Sequence, residues 1–122
     1  MTSQRNLDEA HRETHSTMKL IAVYTTVGSQ DDARQLANAL VERKLVACAQ
    51  ISAIESFYSW QGAVQNDQEF RILLKTTEAR YHAVEATIRE LHTYELPAIH
   101  TVAFEHADER YATWIEQGCT GE

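Results

Sequence analysis

Apolar positions become continuous only after Met18. Lys19-Leu20-Ile21-Ala22-Val23-Tyr24-Thr25-Thr26 is a β-branched run, long enough for a buried strand. Gly28 ends it. Ser29 then offers a side-chain oxygen to the first N–H groups of a helix, and Asp31 and Asp32 set carboxylates in its electropositive first turn. Ala33, Leu36, Ala37, Leu40 and Val41 follow at the spacing of one apolar helical face, and Arg43-Lys44 supply the charge a C-terminus favours. From Val46 the period shortens to two. Ala47, Ala49 and Ile51 share a face, but beyond Ser52-Ala53 the large residues Ile54, Tyr58 and Trp60 take the other parity, which predicts a bulge or bend inside a long strand.

Gln61-Gly62 and Asn66-Asp67 supply turn residues, and Glu69 to Thr76 reads as the returning strand of a long hairpin. A fifteen-residue strand reaches about 50 Å, so part of this hairpin is expected to protrude from a small domain. Thr77 is expected to cap a second helix, with Tyr81, Val84, Ile88 and Leu91 on its apolar face and its end near His92-Thr93. Pro97 opens a last strand from Ala98 to Glu105, where its missing N–H does little harm. Asp108 caps a short terminal helix with Tyr111, Trp114 and Ile115 facing inward, and Gly118 closes it. The order β-α-β-β-α-β plus a helix predicts an α+β, ferredoxin-like sandwich. Residues 1–17 lack a sustained period and read as a flexible N-terminal arm, 18–117 as the domain, and 118–122 as a C-terminal tail.

Composition narrows the function classes. The 122 residues suit one domain, and a net charge of −7 argues against nucleic acid or an anionic membrane surface and favours cations, neutral ligands or proteins. Two cysteines are too few for a disulfide framework, no apolar run approaches the roughly 18 residues that cross a bilayer, and the N-terminus lacks a signal-peptide core. A cytoplasmic protein is the expectation. With four glycines and one proline there is neither a Gly-rich phosphate loop nor a dinucleotide fingerprint. No nucleophile elbow, paired-carboxylate spacing or zinc-finger cluster is present, so no enzyme is expected.

Six stretches, in order, resemble the divalent-cation tolerance (CutA) family. They are Thr25-Thr26; Leu40-Val41-Glu42 with Leu45-Val46-Ala47-Cys48-Ala49; Ser56-Phe57-Tyr58-Ser59-Trp60-Gln61-Gly62; Leu74-Lys75-Thr76-Thr77; His92-Thr93-Tyr94-Glu95-Leu96-Pro97; and Tyr111-Ala112-Thr113-Trp114-Ile115. The resemblance implies a ferredoxin-like subunit in a homotrimer similar to the PII signalling proteins. It further implies binding of copper or another divalent cation, with no accepted enzymatic activity and no organic cofactor. A hairpin too long for its own domain also suits strand addition to a neighbour. Where the family usually has proline, this chain has Thr93, and Thr25 stands where some members have cysteine.

Each candidate site residue has two readings. Cys48 is either a small apolar residue between Ala47 and Ala49 or a soft ligand for copper. His92, at a helix C-terminus beside Tyr94 and Glu95, is either a capping residue or a metal ligand. Tyr58 and Trp60 are either buried at an interface or, with Lys75, Tyr94 and Glu95, one wall of an inter-subunit ligand cleft. Lys75 is expected to pair with a carboxylate such as Glu95. His11 and His15 would share a helical face if their segment were helical. The leading function is therefore a trimeric, cytoplasmic, copper-type metal-binding protein of metal tolerance; the alternative is a PII-like sensor of a small metabolite at the inter-subunit cleft, with an unknown downstream partner.

Overall fold

The computed structural model describes residues 19–120. The arm at residues 1–17, with His11 and His15, lies outside them. Strand β1 (Leu20–Val27) is followed by helix α1 (Gln30–Glu42), strands β2 (Cys48–Trp60) and β3 (Ala63–Thr77), a 3-10 turn (Glu78–Arg80), helix α2 (Tyr81–Leu91), strand β4 (Ile99–Ala103) and helix α3 (Glu109–Gly118). The sheet order is β2-β3-β1-β4, and every neighbouring pair is antiparallel. β1 thus lies between the two strands that flank α2, as in a ferredoxin-like split β-α-β sandwich.

Alternation divides the sheet into two faces. Ile21, Val23 and Val27 of β1, Ile72 and Leu74 of β3, and Ala49 and Ile51 of β2 turn to one side, where they pack with Ala33, Leu36 and Leu40 of α1 and Val84 and Ile88 of α2. Each fully buried aliphatic side chain there contributes about 1.5–3 kcal/mol of transfer free energy. On the other side Leu20 packs with Ile115 and Cys119, supported by Ala47, Phe104 and Ala112. Helix α3 covers only that end, so much of the second face is open.

Local chemistry accounts for the helix boundaries with one exception. Ser29 accepts from the Asp32 N–H at 3.0 Å, and Asp108 accepts from the Tyr111 N–H at 2.9 Å. Thr77 does not cap α2: it is buried, makes no side-chain capping bond, and a 3-10 turn precedes the helix. Of the three residues expected inward on α3, only Ile115 is buried, because Tyr111 and Trp114 stack on one another at the surface. The packed unit continues past the expected boundary at residue 117 to Cys119, whose burial raises its thiol pKa. Thr76 Oγ1 donates to the Leu45 carbonyl at 2.6 Å and so accepts from Cys119 Sγ at 3.4 Å. Gly118 permits this closure, since a Cβ there would lie 2.7 Å from that of Ala47.

The hairpin corrects two expectations. Its register runs unbroken from Cys48↔Lys75 to Trp60↔Ala63, so the parity change contains no bulge. The apolar residues change parity because they change faces: the inner half of β2 packs on helices, whereas Ile54, Tyr58 and Trp60 lie on the open face. Asn66-Asp67 is not a turn. Gln61 and Gly62, with φ of 52° and 81°, close the hairpin as a two-residue loop of the type that matches strand twist, and Asn66 and Asp67 pair with Phe57 and Ser56. On β3, β1 pairs only with Phe70–Thr77, so the outer hairpin, residues 54–69, projects beyond the four-stranded body as an arm. Phe57, Trp60 and Val64 on that arm are 67%, 57% and 76% exposed.

Candidate functional site

Two groups of side chains stand at opposite ends of the open face. The first begins in the loop 92–98, between α2 and β4. His92 Nε2 lies 2.7 Å from the Thr26 carbonyl, and its Nδ1 accepts from the Tyr94 N–H at 2.9 Å. A neutral imidazole has one donor and one acceptor, and here both are used to tie the loop to the end of β1. Tyr94 then turns back over the sheet, tilted against the His92 ring at 4.8 Å, and its hydroxyl donates to Glu69 Oε2 at 2.9 Å. A Cβ on Gly28 would come within 3.1 Å of that hydroxyl, so residue 28 leaves room for the tyrosine. Although much of Tyr94 is exposed, its hydroxyl sits against Gly28; partial burial and then the Glu69 bond push its pKa up to about 12. Two residues along the same strand face, Asp67 accepts from the Tyr58 hydroxyl, which raises the Tyr58 pKa. The arm root thus carries two carboxylates, each holding a tyrosine.

The second group lies where α3 meets the sheet. Cys48 is half-buried, a free thiol directly across from Lys75. Lys75 Nζ donates to the Tyr111 hydroxyl at 2.8 Å and lies 5.3 Å from that ring's centroid. The Tyr111 bond is the main reason the lysine pKa rises, with burial opposing it. The expected Glu95 partner is not there: Glu95 is exposed in the 92–98 loop, and a phenol satisfies the ammonium instead. Between the groups, Tyr24 stacks on His100 at 5.1 Å, and the Arg71 guanidinium lies 5.8 Å over the Tyr24 ring.

The residues singled out from the sequence therefore do not form one site within a chain. Cys48 is level with Lys75 and Ala22, whereas His92 meets β1 at Thr26, four residues or about 13 Å further along. Tyr58 and Tyr94 share the carboxylate pair, but Lys75 stands six residues, or about 20 Å, down β3 from Glu69. Among the described residues, no three His, Cys, Asp or Glu side chains gather to hold one metal ion. Sequence reasoning missed Asp67, Glu69, Arg71 and Tyr111; the odd-numbered parity of β3 carried the signal for the first three. Beside β4, Ile21, Glu78, Tyr81, His82, His100 and Thr101 line a cleft of about 400 Å³. Among the described residues no helix is long and apolar enough to cross a membrane.

Comparison with known proteins agrees with this fold. The family described as the CutA1 divalent ion tolerance protein matches residues 21–118. The divalent-cation tolerance protein CutA of Pyrococcus horikoshii is 33% identical over 96 residues, 79% of this chain and 94% of that protein. A chloroplastic CutA of Arabidopsis thaliana is 31% identical over 105 residues, 85% of this chain but 58% of that longer protein. The crystal structure of a divalent ion tolerance protein CutA1 from Ehrlichia chaffeensis superposes with a TM-score of 0.80 at 34% identity, covering 84% of this chain and 97% of that one.

Proposed function

The chain belongs to the CutA1 divalent ion tolerance family, and from that premise we propose that it binds copper-type divalent cations as a homotrimer, at sites completed between subunits. The family match across residues 21–118 carries the metal-tolerance reading, and the family is named for tolerance rather than for an enzyme. Two observations support assembly. The projecting arm exposes Phe57, Trp60 and Val64 to water, and the described residues of one chain offer no three-ligand cluster. The trimer follows the family resemblance. Cys48 is the ligand best suited to a soft ion, being a half-buried free thiol on the open face. His92 joins it only by releasing the Thr26 carbonyl. The free thiols Cys48 and Cys119 favour a reducing compartment such as the cytoplasm, although the Arabidopsis relative is named as chloroplastic. No catalytic turnover belongs to this reading.

Calorimetric copper(II) titration of the purified protein and of its Cys48→Ser and His92→Ala variants tests the assignment. In a parallel titration with copper(I), the ion a thiolate selects, Cys48→Ser should weaken binding by about tenfold or more, since a hydroxyl is a poor ligand for it. Equal binding by His92→Ala and the parent removes His92 from the site, and no copper binding by the parent overturns the reading. The second reading is a PII-like sensor of a small metabolite at the inter-subunit cleft; the cleft of about 400 Å³ beside β4 lies within one chain and is lined by none of Tyr58, Trp60, Lys75, Tyr94 and Glu95. A metabolite that raises the melting temperature while metals leave it unchanged would favour that reading.

A further inference from the structure

The open face of β3 carries a segregated charge pattern. From its root outward, alternate residues are Lys75, Leu73, Arg71, Glu69 and Asp67: two cations on the body, then two carboxylates on the arm. Charges so close along one strand could pair with each other, yet they do not. Lys75 turns to Tyr111, Arg71 to the Tyr24 ring, Glu69 to Tyr94 and Asp67 to Tyr58. Among the described residues, the ion pairs join Lys19 to Glu78, Arg43 to Glu90 and Arg89 to Glu85, and none involves this stripe. Each carboxylate gives one tyrosine a single acceptor bond and keeps further lone pairs, and the guanidinium over Tyr24 keeps its N–H donors.

A stripe with cations in one half and anions in the other is complementary to a second copy of itself. The acidic half lies on the segment that projects past the body, whereas the basic half lies on the body in a chain whose net charge is −7. We propose that the Arg71 and Lys75 half of this stripe is the docking surface for the Asp67 and Glu69 half of a second copy, so that charge sets where the arm of one subunit lies on the next. The proposal rests on the assembly reading above and adds the residues that fix its register. Electrostatic complementarity of this kind selects partners and orientation more than it adds raw affinity, because like charges brought together by a wrong register repel.

Light scattering over a dilution series, at salt concentrations from about 0.05 to about 1 M, tests it on the whole chain. Assembly of the parent should require more protein as salt rises. Arg71→Glu/Lys75→Glu makes the stripe wholly acidic, and Asp67→Lys/Glu69→Lys makes it wholly basic; each should raise the concentration needed for assembly by about tenfold or more. Combining all four substitutions inverts the pattern but restores self-complementarity, so assembly should return. Circular dichroism checks that the variants fold. If a variant does not fold, the salt response of the parent decides. Double variants that assemble like the parent, a four-substitution variant that fails to recover, or salt-independent assembly of the parent would each overturn the proposal while leaving the assembly reading intact. A monomeric parent would overturn both.

Discussion

At the scale of single residues, Thr25 and His92 show how position outweighs type. Thr25 belongs to the β-branched run that marks β1, and it is 1% exposed on the helix-facing side, paired with Ile72 and Ile99. Its hydroxyl finds no hydrogen-bond partner there. A buried donor left unsatisfied costs about 1–3 kcal/mol, and valine has the same shape without that oxygen. Thr25→Val should therefore stabilise the protein by about 1 kcal/mol in urea denaturation, and a loss of stability would mean the hydroxyl has a role. His92 was legible as a helix-terminal histidine beside Tyr94. Its use was not, because the carbonyl it holds belongs to Thr26, distant in sequence, and neither spacing nor propensity reports such a contact. The same holds for Lys75, for which a carboxylate was the obvious expectation until α3 brought the Tyr111 hydroxyl to it.

At the scale of elements, the strands and helices were readable where one face is apolar, and less so where a strand leaves the core. β1, α1 and α2 follow their hydrophobic periods. The outer hairpin misled because hydrophobic parity marks the face that is covered, and the arm is not covered by its own helices. Asn66-Asp67 resembles a turn by composition, but the positive φ values of Gln61 and Gly62 had already closed the hairpin. The loop 92–98 is fastened to the arm root through Tyr94 and Glu69, and this latch depends on pH. The folded-state pKa of Tyr94 is raised from 10.0 to about 12, so its contribution is fully present below pH 10 and is lost as pH rises through about 12. Phenylalanine at this position cannot ionise. Melting temperature measured across that window should fall less steeply for Tyr94→Phe than for the parent; equal slopes would mean the latch does not stabilise the loop.

At the scale of the whole molecule, the single chain leaves much of one sheet face uncovered. One side of its sheet is sealed by two helices, whereas the other is capped only at one end by α3. The remaining open face holds Tyr24, His100 and Arg71 in a row, with exposed Tyr58 and Trp60 further out on the arm. Length arithmetic on the sequence anticipated an arm that overshoots its domain, and the pairing of β1 with only Phe70–Thr77 of β3 gives that arm its extent. The candidate site was less legible, because strand register and the fastening of the 92–98 loop decide which of its members are neighbours, and no local pattern reports either. Cys48 and the Tyr58–Asp67 and Tyr94–Glu69 pairs lie too far apart along the sheet to meet a common ion without another copy. The most direct test is the mass of the intact protein in neutral buffer by light scattering. The account predicts about three times the 13.9 kDa of one chain, and a species of 13.9 kDa at all concentrations would contradict it.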